Sequence, residues 1–348
     1  WTALEQLSVQ GLNFFFGILM ARLLIPSDFG LVGMVTVFTG FFRLFIDNGL
    51  GTAIIYKKDL KDVDKSSMFW VNIGVAIVIF VILLLLAPLI SQFYDETILI
   101  KITYIVAINF LINSTTPVQL ALFRKELDFK SIFYARLVAL IISGIAGISL
   151  AYIGYGVWSI LGRMILMATV FTFFLWIFSN WRPSLNFDYN RLKEMLNYSL
   201  PLLGSNILGF AKQNLDTIIV GRLLGSESLC IYNKSYQFMI LPSSQITGMI
   251  GQVLFSSFTK INHDKEKLWR AYLITSKAIL IISFIASFTI YFASESFVVN
   301  VLGKQWSEAI PIIKIMALVG LIHPIARSMG IIFNATGATK LALKINLI

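Results

Sequence analysis

Charged side chains inside the apolar stretches of this chain are the residues whose types and spacing could support chemistry. Arg43 precedes Asp47 by four residues, and Lys212 precedes Asp216 by four residues, so each pair can form an ion pair within one helix. Glu5 is a further acidic residue in such a stretch. Burying an ionisable group among apolar side chains is costly unless it faces a partner or a water-filled cavity. The pairs therefore indicate a polar cleft, or two self-neutralising contacts with a structural role.

Other polar residues extend this pattern on the same predicted helices and on two later ones. Gln10 and Asn13 mark a polar stripe on the first helix, while Asn113 and Arg327 each lie close to a proline, Pro117 or Pro324. The basic side chains outnumber the acidic ones in the middle of the spans. Because the arginine fork matches phosphate oxygens and lysine acts as a point charge, we expect an anion-binding cleft. Its predicted members are Arg43, Arg327, Lys212, Gln10, Asn13 and Asn113.

The carboxylates inside the spans are the candidates for binding a coupling cation. Asp216 lies beside Asn and Gln side chains and is the leading candidate, followed by Asp47 and Glu5. Sodium or protons could be coupled to transport through such groups. The chain has one cysteine, Cys230, and its sequence contains no His, Cys and carboxylate cluster with ligand spacing, so we expect neither a metal nor another cofactor.

The elements that must position these residues are membrane-spanning helices. Hydrophobic residues make up 57% of the 348, charged residues only 13%, and the mean hydropathy is +0.81. Soluble domains contain roughly a quarter charged residues, and a spanning helix needs roughly 20 apolar ones. Continuous apolar stretches without alternation exclude a transmembrane barrel. About ten spans are predicted, approximately at 1–24, 28–54, 68–93, 99–123, 131–153, 156–179, 198–224, 228–256, 268–293 and 308–334.

Lysine and arginine are concentrated in alternate connections between the predicted spans, in 55–67, 124–136, 180–197 and 257–270. Positively charged connections face the cytoplasm, which places the N-terminus inside. The net charge of +10 is thus mainly a topology signal, and nucleic-acid binding is not expected because the charges are spread over several loops. The chain has neither a leading polar segment nor a complete last span, so we expect a fragment cut inside its first helix and at its eleventh.

An internal repeat with an offset near 200 residues predicts two lobes. Gln6 aligns with Asn206, Asn13 with Gln213, and the Arg-Leu-Leu at 22–24 with that at 222–224. Two six-helix halves of equal orientation are related by an axis along the membrane normal. We expect an all-α integral membrane fold with an N-terminal lobe at 1–180, a cytoplasmic linker at 181–197 and a truncated C-terminal lobe at 198–348.

Two long phrases carry a family resemblance: "ARLLIPSDFGLVGMVTVFTGFFRLFIDNGLGTAIIYKKDL" and "NWRPSLNFDYNRLKEMLNYSLPLLGSNILGFAKQNLDTIIVGRLLG". They resemble the polysaccharide flippases of the O-antigen, colanic acid and teichuronic acid type, in the superfamily of the multidrug extruders and the lipid II flippase. The resemblance implies a two-lobed bundle of twelve to fourteen helices in the bacterial cytoplasmic membrane. It also implies export of undecaprenyl-pyrophosphate-linked oligosaccharide repeat units by alternating access. The implied partners are this lipid-linked substrate, membrane lipids and the polysaccharide polymerase machinery, around a monomeric transporter.

Three alternatives remain open. A cation-coupled multidrug exporter of the same superfamily would favour an acid-lined site, which fits poorly with the excess of basic side chains. A membrane enzyme of polysaccharide assembly would need clustered acids or a metal site. The only His beside an acid is His263, next to Asp264 in a lysine-rich loop, so we predict that the protein is not an enzyme. A scaffold without transport would not require polar stripes.

Overall fold

The structure is a computed structural model that describes residues 2–47, 54, 60–260 and 264–335, and all regular elements in these ranges are helical. The helix Lys265–Phe297 is followed by two short elements, the π-helical turn Val298–Leu302 and the 3-10 helix Lys304–Trp306. The α-helices are α1 (Thr2–Leu23), α2 (Pro26–Asp47), α3 (Asp62–Tyr94), α4 (Leu99–Ser114), α5 (Pro117–Lys125), α6 (Phe129–Tyr152), α7 (Val157–Phe178), α8 (Tyr189–Lys260), α9 (Lys265–Phe297) and α10 (Ala309–Ala335).

The protein is a multi-pass membrane protein. Within the described ranges, six segments are long and apolar enough to cross a bilayer, which requires roughly 20 residues. Each overlaps a span predicted from the sequence, so the all-α membrane fold is confirmed. These segments are Pro26–Ile46, Asp62–Tyr94, Leu99–Lys125, Phe129–Tyr152, Val157–Phe178 and Glu266–Leu302.

The segment Leu99–Lys125 is broken into two helices. Thr115 and Thr116 separate α4 from α5, and Pro117 is the first residue of α5, where its missing N–H removes no helical hydrogen bond. Side chains bond to carbonyls near the break: Ser114 Oγ donates to Leu111 O over 2.8 Å, and Thr115 Oγ1 donates to Ile112 O over 3.0 Å. The break is thus stabilised by local hydrogen bonds within an apolar segment.

The chain divides into two compact units, and the first comprises residues 1–230. Its core lies where α2, α3, α4 and α7 meet, with Met34, Leu83, Leu99, Ile102 and Leu161 fully buried. Burying a side chain of this size stabilises a fold by about 1.5–3 kcal/mol in water. In a membrane the dispersion contacts of close packing take over much of that role.

The first part of α8 packs against α2 within this unit. Phe210 lies over Gly40, and its ring is 6.4 Å from that of Phe41. Further along, Ser226 approaches Gly30 so closely that a Cβ on Gly30 would overlap its backbone. The missing side chains of two glycines therefore set the distance between the two helices.

The same part of α8 also contacts the end of α3. Arg222 forms an ion pair with Asp95, and its guanidinium carbon lies 5.7 Å from the centre of the Phe93 ring. A Cβ on Gly221 would come within 2.9 Å of the Tyr94 ring. One turn beyond Arg222 the run of α8 is interrupted at Gly225, whose φ of 81° is unfavourable for other residues.

The second unit comprises residues 231–348 and is described by itself. Here α8 packs on α9 and α10: the rings of Phe238 and Phe297 meet edge to face at 5.4 Å, and Gly320 of α10 lies beside Met239. Lys314 of α10 is 3.8 Å from Glu295 of α9. The two predicted lobes and their boundaries remain predictions.

Replacing Gly30 with alanine tests the close contact between α2 and α8. The new methyl group is expected to lower the free energy of unfolding by about 1–3 kcal/mol, because the overlapping backbone must move. Gly17 of α1 is the matched control, since a Cβ there meets no atom within 4 Å. Gly17→Ala should be neutral or stabilising, because alanine is the better helix former. Thermal unfolding of the purified variants measures both, and equal stability of the two would contradict the contact.

Candidate anion-binding cavity

A partly open cavity of about 660 Å³ lies in the first unit, bordered by α2, α4, α5, α6 and α7. Its size is within the roughly 300–1,000 Å³ that is usual for small-molecule sites. The lining combines polar groups with apolar side chains. The residues are Thr36, Thr39, Gly40, Arg43, Ile46, Val106, Asn109, Phe110, Asn113, Thr116, Pro117, Leu120, Ala121, Arg124, Arg136, Met164, Met167, Ala168 and Phe171.

Three arginines from three different helices line this space, which we call the arginine cavity. Arg43 comes from α2, Arg124 from the last turn of α5 and Arg136 from the second turn of α6. Among the described lining residues there is no Asp or Glu. Like charges gathered in a partly enclosed site repel one another and attract anions. The cavity is thus electrostatically suited to a phosphate or pyrophosphate group, which arginine binds through paired hydrogen bonds.

The start of α6 fixes the position of Arg136. Asp128 caps this helix, accepting hydrogen bonds from Ser131 N at 3.1 Å and from Ser131 Oγ at 2.6 Å. The bond from the Ser131 hydroxyl is the main reason that the pKa of the Asp128 carboxyl is lowered. Further into the helix, the Arg136 guanidinium lies over the Phe171 ring, 5.4 Å from its centre. This cation–π contact aligns the guanidinium with the cavity wall formed by α7.

The break between α4 and α5 also borders the cavity. Thr116 and Pro117 line it together with Arg124 from the other end of α5, so the side of this short helix forms part of the cavity wall. Asn113 Nδ2 donates to Asn109 O over 2.8 Å. The buried Asn109 Oδ1 has no hydrogen-bond partner in the described part of the structure. The broken helix therefore contributes the amide groups of Asn109 and Asn113 and the side chain of Arg124 to the lining.

The structure brings together some of the residues predicted from the sequence. Arg43 and Asn113 both line the arginine cavity. Asn13 of α1 instead accepts a hydrogen bond from Arg163 of α7 over 3.2 Å. Arg163 also lies 5.8 Å from the centre of the Phe16 ring, so it joins α7 to α1.

The remaining predicted residues lie elsewhere. Lys212 is an exposed residue of α8, and the carboxylate of Asp216 accepts a hydrogen bond from its neighbour Thr217 N over 2.8 Å. Gln10 is exposed on α1. The side chains of Glu5, Asp47 and Arg327 lie outside the described side chains. The roles predicted for all of these residues stay predictions.

Two arginines of the cavity, Arg124 and Arg136, were not among the predicted site residues. The sequence places both within the basic stretch 124–136, a pattern that indicates membrane orientation. One signal was nevertheless present, because the predicted span 131–153 already includes Arg136. The rule that an ionisable residue inside a span marks a functional site, applied there as it was to Arg43, would have identified it.

Comparisons with known proteins agree with this architecture. The profile of a family described as "Polysaccharide biosynthesis protein" matches residues 19–311. The chain is 26% identical to the teichuronic acid biosynthesis protein TuaB of Bacillus subtilis (strain 168) over 98% of its own length and 71% of that protein. It is 22% identical to the succinoglycan biosynthesis transport protein ExoT of Rhizobium meliloti (strain 1021), over 91% of this chain and 64% of ExoT.

A solved structure shares the fold. It is the inward-facing conformation of a multidrug resistance MATE family transporter of the MOP superfamily, matched with a TM-score of 0.73 at 17% identity. The match covers 94% of this chain and 80% of the other. At this identity the likeness extends to the path of the helices and not to the residues of the site.

Asn13 could serve helix packing through its contact with Arg163, or it could bind substrate. A double-mutant cycle distinguishes these two roles. If Asn13 orients Arg163, Asn13→Ala and Arg163→Met should each lower stability, and the double variant should be less destabilised than the sum by about 1 kcal/mol. Thermal unfolding in a double-mutant cycle measures this coupling. Additive losses of stability would contradict the packing role and return Asn13 to the set of substrate-binding candidates.

Proposed function

The chain belongs to the polysaccharide biosynthesis protein family, and from this membership we propose that it exports polyprenyl-pyrophosphate-linked oligosaccharide repeat units across the bacterial cytoplasmic membrane. It is a transport protein and not an enzyme. The carrier lipid is undecaprenyl pyrophosphate, and the units pass from the cytoplasmic to the outer leaflet. The proposed orientation places the N-terminus inside, in accordance with the distribution of Lys and Arg.

The observation that carries this proposal is that arginines from three different helices line one cavity, together with two asparagines. A pyrophosphate brings several negative charges, and its removal from water must be compensated by fixed positive groups. Arg43, Arg124 and Arg136 supply three forked donor sets at the lining of this one cavity. The sugar portion requires hydrogen bonds instead of charge, and Asn109 and Asn113 line the same space.

Transport in this proposal follows alternating access, with the substrate bound between rearrangements of the bundle. A cation, sodium or a proton, is proposed to supply energy through Asp216, Asp47 or Glu5. The membrane potential acts on any net charge that crosses, so export of an anionic head group toward a positive exterior is itself favoured. The proposed working form is a monomer that hands its product to the polymerase machinery.

Removing one cavity arginine should weaken anion binding selectively. Hydrogen bonds to charged groups contribute about 1.5–3 kcal/mol, so Arg43→Ala or Arg136→Ala should weaken binding of inorganic pyrophosphate by about tenfold to a hundredfold. Arg43→Lys keeps the charge without the fork and should fall between wild type and Arg43→Ala. Isothermal titration of the purified protein with pyrophosphate measures these constants.

Arg270→Ala is the matched control. This arginine is exposed on α9, forms an ion pair of 2.6 Å with Glu266, and is not among the residues that line the cavity. The substitution removes the same charge and should leave pyrophosphate binding unchanged. Equal weakening by Arg270→Ala would mean that net charge alone attracts the anion, and unchanged binding by Arg43→Ala would remove Arg43 from the site.

The same variants should block export in cells. In a strain lacking the gene, lipid-linked repeat units should accumulate on the cytoplasmic side while drug susceptibility stays unchanged. Wild type and Arg270→Ala should restore export, whereas Arg43→Ala, Arg136→Ala and Arg327→Ala, expressed at equal levels, should not. Normal repeat units together with increased drug sensitivity would identify the protein as a multidrug exporter instead, and missing repeat units would point to a role in their synthesis.

A further inference from the structure

A second concave site lies beside the arginine cavity and is lined by apolar side chains and one glycine. We call it the apolar groove; its volume is about 590 Å³, comparable with that of the cavity. It runs between α2 and α3. The lining residues are Phe42, Phe45, Trp70, Val71, Gly74, Val75, Val78, Ile79, Ile82 and Phe187.

Hydrogen bonds close one end of the groove. The segment that leads from α7 to α8 lies against the first turns of α3, where Trp70 Nε1 donates to Ser184 O over 2.8 Å. Ser184 N and Asp188 N donate to the hydroxyls of Ser66 and Ser67, each over 3.0 Å. These bonds hold the backbone on both sides of Phe187 against α3, which places this aromatic residue at the end of the groove.

Gly74 leaves room along the groove. A Cβ at this position would meet no atom within 4 Å, although Gly74 lies in the middle of α3 where glycine is unfavourable for a helix. The space beside it is bordered by Val71, Val75 and Val78 of the same helix. A side chain larger than hydrogen would therefore occupy the groove without displacing a neighbour.

Helix α2 is common to both sites. Phe42 and Phe45 line the groove, while Arg43 and Ile46 line the cavity, so the two sites lie on adjacent faces of the last two turns of one helix. A molecule with an anionic group at one end of a hydrocarbon chain can therefore place each part in a matching environment. The charge of one site and the apolar lining of the other are complementary to the two parts of such a lipid.

We propose that the apolar groove binds the isoprenoid chain of the lipid whose pyrophosphate occupies the arginine cavity. The assignment rests on the proposed function. In a polyprenyl pyrophosphate the anion is bonded directly to the chain, so chain and charge can occupy adjoining sites. In a phospholipid the phosphate is separated from both chains by glycerol and stays at the bilayer surface. The isoprenoid lipid is therefore the occupant that satisfies both sites at once.

The test compares farnesyl pyrophosphate with inorganic pyrophosphate as ligands of the purified full chain. Since burial of the hydrocarbon chain adds to the binding free energy, wild type should bind farnesyl pyrophosphate at least about tenfold more tightly than pyrophosphate. Gly74→Leu, which fills the groove, should abolish this preference and leave the affinity for pyrophosphate unchanged. Gly74→Ala, which fills it in part, should reduce the preference to an intermediate value.

Gly17→Leu is the matched control, because Gly17 is also a helical glycine whose Cβ would meet open space, but it lies on α1 outside the groove. This variant should retain both affinities. A wild-type protein without preference for the farnesyl chain, or a Gly74→Leu variant that keeps it, overturns the assignment.

Two further outcomes separate this assignment from its alternatives. If Gly74→Leu loses a co-purified phospholipid, detected by mass spectrometry, while keeping the preference for farnesyl pyrophosphate, the groove binds an ordinary membrane lipid and the assignment is overturned. If wild type binds neither ligand, the proposed function fails and the lipid assignment fails with it. Binding of pyrophosphate without chain preference overturns the lipid assignment alone.

Discussion

The fold depends on the requirement that backbone polar groups in the membrane find hydrogen-bond partners within the protein. A helix meets this requirement along its length, which explains why long continuous helices dominate the described part of the chain. The regular helical pattern is interrupted at Thr115 and Thr116, where serine and threonine hydroxyls donate to nearby carbonyls and Thr116 N donates to Asn113 O. Non-helical backbone at membrane depth is tolerated where it borders a polar cavity. The position of the break is thus linked to the position of the arginine cavity.

The three arginines of the cavity place like charges close to one another. The three positively charged guanidinium groups repel one another, and the Arg136 side chain is in addition partly withdrawn from water. The Phe171 ring beneath Arg136 offsets a part of this cost. An anion bound among the three arginines reduces their mutual repulsion, which favours its binding. A site of this type favours a multiply charged ligand over a neutral one.

Hydropathy and charge distribution were sufficient to predict the all-α membrane fold, because both are properties of single segments. Arg43 and Asn113 were also predictable, since each is a polar residue inside an apolar stretch. Arg124 was not, because it lies in a basic connection outside the predicted spans, where a sequence looks alike whether the side chain faces the bilayer surface or a cavity. The contact of Asn13 with Arg163 joins residues 150 positions apart, and helical spacing contains no information about such a contact.

The ion pair between Arg222 and Asp95 is a weak contact between α8 and α3. Both side chains are substantially exposed, at 42% and 74%, and exposed pairs stabilise by roughly 0–1 kcal/mol. Such a contact aligns α8 with α3 yet yields to ordinary thermal fluctuations, in contrast to the tight backbone approach at Gly30 nearby. The ion pair can break and form again at little cost, whereas the close backbone contact at Gly30 is tightly packed. Where two helices meet through an exposed ion pair of this kind, they can separate and meet again at little cost in free energy.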